Sequence, residues 1–179
     1  QRIISDHLRA AIFLISDGVT PGNKEREYIL RRLIRRATRL AKLLNLPPDL
    51  TDKVTYAVID TFKENYPHLV QQQVEIKNTL REETNKFSQA LTRGMREIEK
   101  AKELDGKTAF HLYESFGFPL ELTEEIAQER GQKGNKKVFE KEFKKHQKLS
   151  RTASAGMFRG GLADHSEEVV RGHTATHLL

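Results

Sequence analysis

The chain has 179 residues, with 31 Lys and Arg against 25 Asp and Glu, a formal net charge of +6, and no cysteine. That length suits one domain or two small ones with a real core, and the lack of cysteine excludes a disulfide framework and any thiolate metal site within it. No apolar run approaches the ~18 residues of a membrane span and no signal peptide is visible, so a cytoplasmic protein is expected.

Ile3, Ile4, Leu8, Ala11, Ile12 and Ile15 recur at helical spacing and predict an amphipathic helix ending near Asp17-Gly18. SDGVTPGN then reads as a loop, and Asn23 at its end can cap the next helix. From Tyr28 to Leu44 follows YILRRLIRRATRLAKLL, with Arg31, Arg32, Arg35, Arg36, Arg39 and Lys42 and no acid. An apolar stripe and a cationic stripe are expected on opposite faces of this helix. Like charges at i,i+4, such as Arg31/Arg35 and Arg32/Arg36, repel unless an external anion offsets them, and guanidinium matches phosphate geometry. The stretch therefore predicts a phosphate-binding face for nucleic acid. A non-enzymatic helical adaptor that binds acidic proteins, or RNA nonspecifically, is the alternative.

Leu46-Pro47-Pro48 ends that helix. A third is expected from Asp49 to Asn65, with Val54, Ala57, Val58, Thr61 and Phe62 inward. Leu69 to Leu104 gives the longest pattern, with Val70, Val74, Leu80, Phe87, Leu91, Met95 and Ile98 in one stripe and mixed charges that read as solvated surface. This predicts a strut on the order of 50 Å long between two helical lobes. Asp105-Gly106 should stop it, with Thr108 capping a short helix through Phe116. In GFPLELTEEIAQERG, Gly117 ends one helix, Pro119 fixes a turn, Thr123 starts the next helix and Glu121 sits in the loop between. Asn135 begins another helix, with Val138, Phe139, Phe143 and Leu149 inward and a lysine-rich outer face.

All of the net positive charge precedes Arg151, where the composition turns to Ser, Ala and Gly and marks a linker to His165. Ser166 then caps a last helix that carries His173 and His177 on one face, a spacing that supplies two ligands of a metal site. No phosphate loop, catalytic triad or isolated carboxylate pair is present. The sequence opens inside a helical pattern without a methionine and stops inside another, as a piece of a longer protein would. The expected fold is all-α, elongated and two-lobed with a long central helix. Residues 1–104 form the first lobe with its strut, 105–150 the second, 151–165 a Gly/Ser-rich linker and 166–179 a short helix.

Three strings together, SDHLRAAIFLISDGVTPGNKEREYILRRLIRRA, AFHLYESFGFPLELTEEIAQERG and GGLADHSEEVVRGHTATHLL, resemble the alanyl-tRNA synthetase family of class II aminoacyl-tRNA synthetases. The resemblance implies that residues up to about 150 are a helical tRNA-recognition region, non-catalytic by itself. Its parent would attach alanine to tRNA with ATP and magnesium in a catalytic domain whose motifs are absent here. The family identifies its tRNA by a G·U wobble pair in the acceptor stem. By resemblance Asn23 reaches that pair from one side and Glu121 from the other, where the usual residue is Asp. A carboxylate can accept from the guanine amino group in the minor groove, and an asparagine amide can donate or accept. Arg31, Arg32, Arg35 and Arg36 become phosphate contacts. HTATHLL resembles the opening of the family's editing domain, in which His173 and His177 would be the first two zinc ligands, half a site that is expected to be empty here. The implied partners are alanine-specific tRNA and the parent's catalytic and editing domains.

Overall fold

The computed structural model describes residues 2–132 and 136–157, with side chains to 149. Among these the protein is all-helical: α1 Arg2–Ser16, α2 Glu25–Leu43, α3 Leu50–Phe62, α4 His68–Gln71, α5 Gln73–Lys100, α6 Gly106–Phe116, α7 Leu120–Glu129 and α8 Lys136–Met157. The chain divides into two compact units that part between Asn135 and Lys136. His173, His177 and the predicted last helix lie outside the described residues.

In the first unit, periodic apolar positions become two cores. Ile4, Leu8, Ile12 and Ile15 of α1 close on Leu30 and Ile34 of α2, Val58 and Ile59 of α3, Leu69 of α4, and Ile76 and Leu80 of α5. Phe87, Leu91 and Ile98 of α5 meet Leu112 of α6, Phe118, and Leu122 and Ile126 of α7 in the second. The 28 residues of α5 thus serve both cores over about 42 Å.

The strut is shorter than its pattern suggested, because the helix breaks at Gln72 (φ −96, ψ 9) and the face turns there. Leu69 and Ile76 are buried, while Val70 and Val74 stay 49% and 71% exposed. In α3 the inward side is Thr55, Val58 and Ile59, with Ala57 and Thr61 outside. The cap of α6 is Asp105, whose carboxylate accepts from the Thr108 N–H and hydroxyl at 2.8 Å each, so Thr108 is the capped residue and not the cap. Gly117 does end α6 in the left-handed region (φ 65), as its lack of a side chain allows. Next, α7 begins at Leu120, ahead of Thr123, which is buried. In the second unit α8 buries Phe139, leaves Leu149 exposed, and runs seven residues into the small-residue stretch that starts at Arg151.

Candidate nucleic-acid interface

Asn23 is placed by the loop before α2. The Gly22 N–H donates to the Glu27 carbonyl at 3.1 Å, and a Cβ on Gly22 would lie 2.0 Å from Glu27 Oε2, so only glycine lets the loop lie this close to the first turn. The N-cap of α2 is Lys24, and no side chain caps the helix. Asn23 instead turns its Oδ1 to Arg31, whose Nη2 donates to it. Arg31 makes no ion pair among the described residues; burial, then the neighbouring Arg35, lowers its pKa from the usual guanidinium value.

Glu121 is placed by the tight passage from α6 to α7. It stands in the first turn of α7, where a carboxylate faces the positive end of the helix, and not in the loop expected from the sequence. Tyr28 donates its hydroxyl to Glu121 Oε2 at 2.8 Å and Arg32 Nη1 donates to Oε1 at 2.8 Å. Burial alone would raise the Glu121 pKa. Its own backbone N–H, the Tyr28 hydroxyl and Arg32 outweigh burial and hold the carboxyl below the usual range. Burial and the bond to Glu121 push the Tyr28 phenol above its ordinary value, so it stays protonated and is the donor.

The arginine row is not the uncompensated face that its local sequence predicted. Arg32 pairs with Glu121 at 2.8 Å, Arg35 with Glu83 at 2.6 Å and Arg36 with Glu125 at 2.6 Å, and Arg39 forks onto Glu129. Three of these partners, Glu121, Glu125 and Glu129, lie four apart on α7 and climb it in step with Arg32, Arg36 and Arg39 on α2. The stripe is not wholly opposite the packed face either: Arg39 is only 6% exposed. Arg35 is enclosed too. Its Nε holds Glu83, its Nη1 donates to the Gly117 carbonyl, and its guanidinium lies 5.1 Å above the Phe87 ring. Its Nε, its Nη1 and one face of the group are thus engaged inside the fold, so Arg35 is not presented as a free cation.

Between α2 and α7 lies a cleft of about 300 Å³ lined by His7, Arg32, Leu33, Arg36, Glu121, Leu122 and Glu125. The two helices meet there through these long side chains and not by close backbone packing. His7 Nε2 lies 3.1 Å from Arg36 Nη1 and accepts from it as a neutral ring. Burial, then Arg36, lowers its pKa, as Arg32 does to a lesser extent, against the opposite pull of Asp6.

The outcome is specific. Asn23 and Glu121, 98 positions apart, are tied to the consecutive residues Arg31 and Arg32 of one helix. Of the four expected phosphate contacts, Arg31 keeps no carboxylate partner among the described residues, Arg32 and Arg36 share theirs with the cleft, and Arg35 is internal. The partner roles of Tyr28, Glu83, Glu125, Glu129 and His7 went unnoticed. For Glu125 and Glu129 a signal existed, since with Glu121 they form an i,i+4 acidic stripe matching the basic one. For Tyr28 and Glu83 none did. No helix among the described residues is long and apolar enough to cross a membrane, and none of their His, Asp or Glu form a group of three that could hold a metal. Two imidazoles in a chain without cysteine supply only part of the tetrahedral zinc set.

Residues 1–177 match the family described as tRNA synthetases class II (A). The chain is 40% identical, over its whole length and 31% of the relative's, to an alanine–tRNA ligase of Treponema pallidum (strain Nichols). It is 42% identical, over 99% of its length and 31% of the relative's, to one from Borreliella afzelii (strain PKo). An alanine–tRNA ligase of Thermotoga maritima is 40% identical over 85% of the chain and 18% of the relative. The chain thus spans at most about a third of the curated relatives it matches.

Proposed function

The chain belongs to the class II tRNA synthetases (A), and from that membership we propose that its helical body is the part of an alanine–tRNA ligase that selects the acceptor stem of its tRNA. In this reading it performs no chemistry alone. The whole protein would join alanine to tRNA with ATP and magnesium, in the cytoplasm where translation proceeds, and zinc would belong to an editing site completed by residues other than His173 and His177. The observation that carries the proposal is the convergence of Asn23 and Glu121 on adjacent arginines of α2. Two polar groups from distant parts of the chain, one in the loop before α2 and one in the first turn of α7, are thereby tied to the same helix, an arrangement suited to the two sides of one base pair.

The internal pairing of the arginine row redistributes the roles. Arg31 supplies the standing positive charge next to Asn23, and Lys24 and Arg26, close by in sequence, are exposed. Arg32 and Arg36 reach phosphate by exchanging Glu121 or Glu125 for it. Backbone contacts of this kind position an RNA, and the base contacts specify it.

Binding is measured with an alanine acceptor-stem RNA carrying the G·U pair and with its G·C variant. The proposal expects tighter binding of the first, a preference that Asn23→Ala reduces more than it reduces overall affinity. Arg31→Ala removes both a cation and the donor that holds Asn23, so it should weaken both RNAs, flatten the salt dependence by about one counterion and reduce the preference as well. Equal affinity for the two RNAs, lost alike with salt, would leave only phosphate attraction.

A further inference from the structure

Resting on the reading that Glu121 contacts the base pair, we infer that Tyr28 is the positioning residue that makes Glu121 usable as a reader. Tyr28 and Arg32 stand one turn apart on α2, so both project from one face toward the start of α7. Each takes one oxygen of the Glu121 carboxylate at 2.8 Å. The plane of the carboxylate is thereby fixed, and each oxygen keeps a lone pair for an incoming N–H.

The extra methylene of glutamate makes this clamp necessary. An aspartate at the same place has one rotatable bond fewer; a glutamate left free would spread its carboxylate over several rotamers and lose the geometry of a base contact. The two donors differ in what can remove them. Arg32 is a cation whose side chain is 40% exposed, and an arriving phosphate competes with Glu121 for it. The Tyr28 hydroxyl is neutral and half-buried, so it offers an arriving phosphate no charge to pair with and little access. Tyr28 is the donor that stays while RNA binds. Because α2 and α7 meet through side chains here, the clamp also sets how far Glu121 stands from α2.

The test is a double-mutant cycle on the full chain, with Tyr28→Phe, Glu121→Gln and the double variant, each measured against the G·U and G·C acceptor-stem RNAs at two salt concentrations and by thermal unfolding. The expected result for Tyr28→Phe is a preference for the G·U RNA reduced about fivefold, with affinity for the G·C RNA and the salt slope unchanged. The double variant should discriminate no worse than Glu121→Gln alone. If Glu121→Gln abolishes the preference and Tyr28→Phe leaves it intact, the positioning role is wrong and the reading of Glu121 stands. Further loss in the double variant would make Tyr28 a direct RNA contact, and equal loss on both RNAs a merely structural residue; either overturns the inference. An unaltered preference in Glu121→Gln would remove the reading and the inference together.

Discussion

Arg35 shows how a residue read as a ligand becomes part of the frame. Its side chain is 12% exposed and that of Glu83 9%, so removing either leaves a buried charge alone. Arg35→Ala should cost about 3–5 kcal/mol of unfolding free energy in a denaturant titration, a large part of the stability of a domain this size. A loss of RNA affinity without that destabilisation would return Arg35 to the interface. Gly117 is bound to the same group: its φ is 65, and a Cβ there would lie 2.3 Å from Arg35 Nη1. His7 gives a pH signature. Folded His7 binds a proton less readily than the unfolded side chain, so the unfolded state holds more protons as pH falls below the ordinary value of 6.5. Stability should therefore decline from neutral pH through that window toward the depressed value. In His7→Gln, thermal midpoints between about pH 7.5 and 5 should fall less steeply than in the parent; identical slopes would contradict the contact with Arg36.

At the scale of elements, α1, α2, α6 and the stop at Gly117 were legible because apolar spacing and local turn chemistry agree there. What escaped was non-local. The buried line along α5 is Ile76, Leu80, Glu83, Phe87, Leu91, Gly94 and Ile98, a regular succession of fours and threes. Two of its members are a glutamate and a glycine, which no hydrophobic count selects. Their reasons sit on other helices: Glu83 answers Arg35 of α2, and Gly94 makes room for Phe118. A Cβ on Gly94 would fall 2.4 Å from the Phe118 ring, which is itself fully buried. Gly94→Ala, mild on an exposed helix, should here cost about 1–3 kcal/mol by overpacking, read from the urea midpoint. The acids that answer α2 were overlooked for the same reason. A search for compensation at i,i+4 sees only one helix, and these partners lie 48 to 90 positions away. Likewise the start of α7 was set three residues late: Thr123 resembles a cap in sequence, but Pro119 precedes the helix and the threonine faces the core.

At the scale of the molecule, the helical class and the family were legible, whereas the electrostatic state of α2 was not. The net charge of +6 already counts every acid, but it is not concentrated on α2, where Arg32, Arg35, Arg36 and Arg39 are each paired with a glutamate of α7 or α5. A protein built this way should attract RNA less strongly than a bare arginine row, and on the proposed reading it depends more on Asn23 and Glu121, so its affinity should fall with salt by fewer counterions than α2 has arginines. The central claim is that one base pair lies between Asn23 and Glu121. It is tested most directly by placing a photo-crosslinking side chain at Lys24 and, separately, at Leu120, each beside an intact reader, and mapping the labelled nucleotides on the acceptor-stem RNA. The account predicts crosslinks from both positions within a base step of the wobble pair, one on each strand. Crosslinks that fall several steps apart, or from one position only, would contradict it.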